Sequence, residues 1–244
     1  MKSIFITGAS SGIGEHLSYK YSQKGITLGL SARRIDELNR VKAKCEELGA
    51  TVFIYQLDVN DNVATKNAIE DFSSKNKSLD CVIANAGIGK TENIMSGDSS
   101  FINGIIQTNI LGVTNTLIPA IPIMVKQKFG KLVAISSVAS YIPTPNNSGY
   151  SASKAGVRML MDGFRFKLTP HNIKCITICP GFVDTPIVSK TRSTPMMLTV
   201  ESGAKKIANA IGRNKKTFIF PWQYKIILPL LKIIPDWLIL KYLK

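Results

Sequence analysis

Seven short apolar runs separated by helix-length segments constrain this chain more than any other feature: Ile4–Ile6, Leu28–Leu30, Val52–Tyr55, Cys81–Ala84, Leu132–Ile135, Cys175–Cys179 and Phe218–Phe220. Most are continuous blocks, not alternating ones, which is the pattern of parallel strands covered on both faces. Between Asp36 and Leu48, the residues Leu38, Val41, Cys45 and Leu48 recur at steps of three and four, and Gly49 then offers a stop. That spacing predicts a helix with one buried face. Comparable spacing predicts helices over 13–23, 64–72, 109–127, 150–168 and 200–213. Strand and helix therefore alternate, which implies right-handed crossovers and a doubly wound α/β sheet of about seven parallel strands with helices on both faces. In such a sheet ligands bind at the carboxyl ends of the strands. A chain of 244 residues needs only one such domain, taken to span 1–220, with 221–244 as an apolar tail that is not a separate domain.

Charge and composition narrow the function classes. The net charge is +15, from 31 Lys+Arg against 16 Asp+Glu, but the basic residues are scattered and no basic stripe carries base-stacking aromatics, so nucleic acid is not an expected partner. Cys45, Cys81, Cys175 and Cys179 form no C-x-x-C, and His16 and His171 stand far apart. Buried reduced thiols are expected and a metal site is not. Met1-Lys2-Ser3 runs directly into the first apolar block, leaving no room for a signal peptide, so the expected location is cytoplasmic.

Three groups of residues carry chemistry. The first strand ends in Thr7-Gly8-Ala9-Ser10-Ser11-Gly12-Ile13-Gly14 and a helix follows. Glycines let a backbone approach phosphate, and a helix N-terminus offers N–H groups and partial positive charge. A glycine-rich turn needed only for tight packing would look the same. At the end of the second strand stand Ser31-Ala32-Arg33-Arg34, with no acid before Asp36. A carboxylate there would select the free ribose hydroxyl of NAD, whereas the forked guanidinium of Arg33, with Arg34 beside it, suits a 2′-phosphate. NADP(H) is the preferred cofactor on this reading and NAD(H) the alternative. Third, Tyr150 and Lys154 fall on one face of a helix, with Ser136-Ser137 upstream. A neighbouring ammonium would lower the pKa of the tyrosine, letting it exchange a proton with a carbonyl or alcohol oxygen while Ser137 hydrogen-bonds that oxygen. An exposed tyrosine–lysine pair is the bland alternative.

Taken in order, these residues resemble the short-chain dehydrogenase/reductase family, over Lys2 to about Phe220. Thr7–Gly14 is similar to its TGxxxGIG loop, Asp58 with Val59 to its adenine-side residues, and Asn85-Ala86-Gly87 to its NAG motif. Asn109, Ser137, Tyr150 and Lys154 match its catalytic set, and Pro180-Gly181 with Val183 and Thr185 its nicotinamide-side loop. The resemblance implies a Rossmann-like fold and hydride transfer between nicotinamide and a substrate carbon. Tyr150 would donate the proton in reduction and Ser137 would polarise the oxygen. Lys154 would bind the ribose and depress the tyrosine pKa, and Asn109 would hold a water leading to solvent. Long-helix dimers or tetramers are implied as well. One departure is Ser11, where many NADP-using relatives carry a basic residue.

Substrate choice is expected in a lid over Ile187–Thr199 and in the C-terminal segment. Met196-Met197-Leu198 suits a lipophilic carbonyl or alcohol. The tail Ile226–Leu243 mixes short apolar pieces with Lys225, Lys232, Asp236, Pro229 and Pro235, so it is not a spanning helix. A lid, a subunit interface and a peripheral contact with an anionic inner membrane surface all fit it. The competing functional class is a cofactor-binding regulatory protein that keeps the fold without turnover; the filled catalytic set favours the enzyme.

Overall fold

A computed structural model describes residues 1–89, 91–142, 146–188, 194 and 196–231. Its strands are β1 Ser3–Thr7, β2 Thr27–Ala32, β3 Thr51–Gln56, β4 Cys81–Ala84, β5 Gly130–Ile135, β6 Ile173–Pro180 and β7 Thr217–Phe220. They form one seven-stranded sheet in the order β3-β2-β1-β4-β5-β6-β7, and every pairing is parallel. Each expected apolar run lies in one of these strands. Six of the seven extend beyond it, because ladder pairing continues through flanking residues such as Ser3 and Thr27.

The continuous apolar runs follow from burial on both faces. In β1, Ile4 and Ile6 join Leu17, Leu28 and Leu30 in one core, while Phe5 between them joins Phe72, Val82, Val113 and Val157 in the other. Successive strand side chains point to opposite faces, so the middle positions of β1 are apolar on both sides, and the buried polar residues at its ends, Ser3 and Thr7, are hydrogen-bonded. The first core is covered by α1 (Gly12–Tyr21), α2 (Ile35–Glu47) and α8 (Val200–Gly212). The second is covered by α3 (Asn62–Ser74), α5 (Gly112–Leu117), α6 (Ala120–Gln127) and α7 (Ser148–Leu168). The two clusters contain 25 and 20 buried residues respectively, so neither face dominates.

The helix expected over 109–127 differs most from observation. It begins earlier, as α4 (Ser100–Ile106), passes through a π turn at Gln107–Leu111, and continues as α5 and α6 around Ile118-Pro119. Asn103 and Gly104 are weak helix formers, which hid the start, and Pro119 cannot donate the next helical hydrogen bond. The run Ser100–Gln127 is long and apolar enough by composition to cross a bilayer, yet Ile105, Val113, Leu117, Ala120 and Met124 are buried in the fold. Beyond β7, α9 (Tyr224–Leu231) packs Tyr224 and Leu228 inward and leaves Trp222, just before it, together with Ile226 and Leu230 exposed. The rest of the tail, 232–244, including Pro235 and Trp237, lies outside the described residues, as do 189–193 and 195 of the lid.

Strand order reverses between β1 and β4, since β2 and β3 lie to one side of β1 and β4 to β7 to the other. Chains leaving the carboxyl ends of β1 and β4 diverge there and open a crevice.

Candidate active site

The loop leaving β1 is shaped by close approach. Gly8 and Gly12 have φ of +66° and +57°. A Cβ on Gly8 would come within 2.8 Å of Ala86 Cα, and one on Gly14 within 2.3 Å of the Gly8 carbonyl oxygen. The wall here is therefore main chain. Ser11 occupies the N-cap of α1 without making a capping hydrogen bond, so the first-turn N–H groups are available to an anion. Thr185 meets the loop from across the cleft, its Cγ2 3.2 Å from where a Gly12 Cβ would lie. This cradle fits a dinucleotide diphosphate.

The two arginines after β2 behave differently. Arg34 Nη2 donates to Ser10 Oγ at 3.1 Å and Ser11 Oγ at 2.9 Å, so its guanidinium bridges to the glycine loop. Arg33 is exposed and its Nη1 lies 3.4 Å from Asp58 Oδ2. Asp58 Oδ1 accepts from the Asn60 amide at 3.0 Å, and Val59 is buried beside Gly112. Asn85 fastens the loops after β1 and β4 together: its Nδ2 donates to the carbonyls of Thr7 and Gly8 at 3.0 and 3.2 Å. Thr7 Oγ1 accepts in return from the amides of Asn85 and Ala86.

One cleft is lined by every expected site residue except Gly14 and Asn109, which stand behind its wall; Leu57, Ile88, Thr108, Ile135, Ser136, Ile187 and Val188 also line it. Tyr150 and Lys154 come together on α7 with Ser137, which follows β5. Lys154 is almost completely buried, and its Nζ donates to the Ile135 carbonyl at 2.9 Å while lying 5.7 Å from the Tyr150 ring centroid. Ser136 Oγ donates to the Lys154 carbonyl at 2.8 Å and holds the helix at that point. Burial pushes Lys154 down to about 8, opposed by the neighbouring Cys179. Burial also pushes Tyr150 up from the usual tyrosine range, opposed by the hydrogen bond from Ser137. Desolvation sets the direction at Tyr150, while the ammonium of Lys154 is committed to the Ile135 carbonyl.

Asn109 sits in the π turn with its Oδ1 accepting from the Ile88 amide at 2.8 Å and its Nδ2 donating to the Ile88 carbonyl and Ser153 Oγ at 2.9 and 3.0 Å. The side chain is a clamp on Ile88. In the lid, Leu198 forms a parallel bridge with Val183 and packs against the core. Met196, Met197 and Leu198 do not line the cleft; Ile187 and Val188 do.

Glu92 escaped the sequence reading. It comes from the loop after β4, is 6% exposed, and accepts hydrogen bonds from Ser148 Oγ and the amides of Gly149 and Tyr150. No local signal marks a lone glutamate 58 residues from the tyrosine whose amide it binds. The four cysteines are buried and free.

The sequence pattern described as short chain dehydrogenase matches residues 2–196. An uncharacterized oxidoreductase of Myxococcus xanthus is 32% identical over 237 residues, covering 96% of this chain and 93% of its own. A short-chain dehydrogenase from Sphingobium yanoikuyae, solved in complex with NADPH, superposes with a TM-score of 0.83 at 24% identity, covering 96% of this chain and 97% of that one. One from Burkholderia phymatum, solved with NAD, gives 0.86 at 22% identity, covering 94% and 92%. At these identities the two solved structures speak for the fold alone.

Proposed function

Because the chain belongs to the short-chain dehydrogenase family and is an oxidoreductase of that type, we propose that it transfers hydride between NADP(H) and a lipophilic carbonyl or secondary alcohol. The observation that carries the reading is the convergence of Ser137, Tyr150 and Lys154 on one cleft that also contains the glycine loop and both arginines. When bound, the nicotinamide supplies or accepts the hydride. The chain's own residues do the rest. Tyr150 gives its proton to the carbonyl oxygen in reduction, and Ser137, already hydrogen-bonded to it, orients and polarises that oxygen. Lys154, brought down to about 8 by its burial and so still carrying its proton at neutral pH, is the charge that opposes the phenolate.

Support for the 2′-phosphate comes from the guanidinium of Arg34 seated on Ser10 and Ser11, with Arg33 at the same strand end and no carboxylate at that position. Support for a lipophilic substrate comes from Ile88, Ile187 and Val188, which line the cleft with apolar side chains. Exposed apolar side chains support two further assignments. Leu111 and Ile118, and likewise Met159 and Phe166, are exposed and seven residues apart on the two long helical segments, a stripe suited to a second copy of the chain. Trp222, Ile226 and Leu230 are exposed at steps of four beside Lys225, suited to a peripheral contact with an anionic membrane on the cytoplasmic side. Flotation of the full chain with anionic vesicles, against a chain ending at Phe220, tests the last: equal flotation removes it.

The enzymatic reading is tested with NADPH and a panel of ketones, aldehydes and quinones, wild type against Tyr150→Phe. Turnover is expected on at least one carbonyl and is expected to fall by roughly 100- to 10,000-fold in the variant, with NADPH binding kept. Binding of NADPH without any Tyr150-dependent turnover would overturn the proposal.

A further inference from the structure

The helix that carries Tyr150 lacks the usual device at its start. Asn147 occupies the N-cap of α7 without making a side-chain capping bond, and a helix of 21 residues otherwise leaves its first N–H groups without intrahelical partners. Glu92 supplies what is missing from another part of the chain. Its Oε2 accepts from Ser148 Oγ at 2.6 Å and from the Gly149 amide at 3.0 Å, and its Oε1 from the Tyr150 amide at 3.1 Å. Its own amide donates to the Asn146 carbonyl at 2.9 Å, tying the two segments together a second time. Gly149 makes the approach feasible, since a Cβ there would lie 3.0 Å from Glu92 Oε1. Burial raises the carboxyl pKa, but the bonds from Ser148, Gly149 and Tyr150 outweigh it, so the group lies below its ordinary range and is ionised at neutral pH.

We propose that Glu92 is the positioning residue of Tyr150: as an N-cap donated in trans, it fixes the first turn of α7 and sets the field in which the tyrosine ionises. The proposal rests on Tyr150 as the proton carrier. Between the Asn109 clamp on Ile88 and Glu92 lies Gly89, whose Cβ would fall 3.3 Å from the Tyr150 ring. The tyrosine is thus held at its amide by Glu92 and at its ring by the loop that Glu92 anchors. A carboxylate at this point also cancels the positive end of the helix, which would otherwise favour a phenolate. Among the described residues, the other groups facing Tyr150 are Lys154 on α7, with Cys179 of β6 beside that ammonium, and the Ser137 hydroxyl. Ile187 on the lid side is apolar.

The test compares wild type, Glu92→Gln, Ser148→Ala and Tyr150→Phe as full chains, with NADPH and the carbonyl of the panel reduced fastest. Ultraviolet titration of tyrosinate is read as the difference from Tyr150→Phe. Glu92→Gln keeps the shape but loses the charge. Its kcat is expected to fall roughly tenfold, with the KM for NADPH within about twofold of wild type because the cofactor wall is untouched. Tyr150 is expected to ionise roughly half a pH unit lower, as the helix end is no longer neutralised. Ser148→Ala removes one of the three bonds and keeps the charge; its kcat is expected to fall about twofold without a shift in the titration. If Glu92→Gln lowers only the melting temperature, leaving kcat and the tyrosinate titration at wild-type values, Glu92 is merely structural and the proposal fails. If Glu92→Gln does not fold, an unchanged kcat in Ser148→Ala overturns it. Full activity in Tyr150→Phe would instead overturn the underlying assignment of the proton carrier.

Discussion

On the cofactor side of the cleft the wall is main chain, and on the substrate side it is side chain. Gly8, Gly12 and Gly14 approach Ala86, Thr185 and one another so closely that a single methyl group would collide with backbone or with Thr185. Ile88, Ile187 and Val188 line the same cleft with apolar side chains that can exchange rotamers. The first kind of wall tolerates almost no change and fixes what binds; the second tolerates much and leaves the substrate open to selection.

The harshest way to challenge this contrast is Gly14→Ala. A Cβ 2.3 Å from the Gly8 carbonyl must move backbone, so NADPH affinity is expected to fall more than about 100-fold and stability by about 3 kcal/mol. Isothermal titration and thermal melting check both, and an unperturbed cofactor affinity would break the comparison. Next comes Lys154, which faces both sides. Its folded pKa, about 8 against 10.5 for the free side chain, means that between those values the unfolded chain holds the proton and the folded chain does not. Stability therefore rises with pH across this window, by up to about 3 kcal/mol. Above pH 10 the raised pKa of Tyr150 acts in the opposite direction. The difference between wild type and Lys154→Met, followed by denaturant melts from pH 8 to 10, isolates the lysine; parallel curves would contradict its desolvation.

Arg33→Ala and Arg34→Ala sharpen the cofactor half. Each is expected to raise the KM for NADPH by roughly 10- to 100-fold while scarcely changing that for NADH. Equal effects on both cofactors would remove the 2′-phosphate assignment. The smallest effect belongs to the substrate side. In Gly89→Ala the new methyl meets the Ile187 side chain at 3.1 Å and the tyrosine ring at 3.3 Å, and a shift of a few tenths of an ångström in the Ile187 side chain relieves the tighter contact. Kinetics across carbonyls of increasing bulk are expected to shift about threefold in KM, with NADPH unaffected.

What could be read from the sequence follows the same division. β1 to β7 were legible because burial on both faces writes a continuous apolar run, and the glycine loop because close approach demands glycine. The π turn at Gln107–Leu111 was not legible, since a single extra residue in a helical turn leaves no periodic trace. Asn109 was identified by resemblance, but its clamp on Ile88 depends on a segment 21 residues away. Apolar composition at Met196–Leu198 does not say which way a side chain points; the bridge of Leu198 to Val183 is a matter of tertiary structure. Glu92 is the limiting case: a capping residue is ordinarily adjacent to its helix, and this one reaches α7 only after β4 and β5 have paired.

The packing of α9 has a thermodynamic corollary. Gly181, which lines the cleft after β6, lies so close to Tyr224 that a Cβ there would fall 2.5 Å from the ring, and the Gly181 amide donates to the Phe220 carbonyl at 2.7 Å. Peeling α9 from the body would uncover this loop, and any change that this made in cofactor affinity would be a linkage between cleft and tail. By reciprocity, whatever factor cofactor imposes on the affinity of α9 for a partner, the partner imposes on the affinity for cofactor.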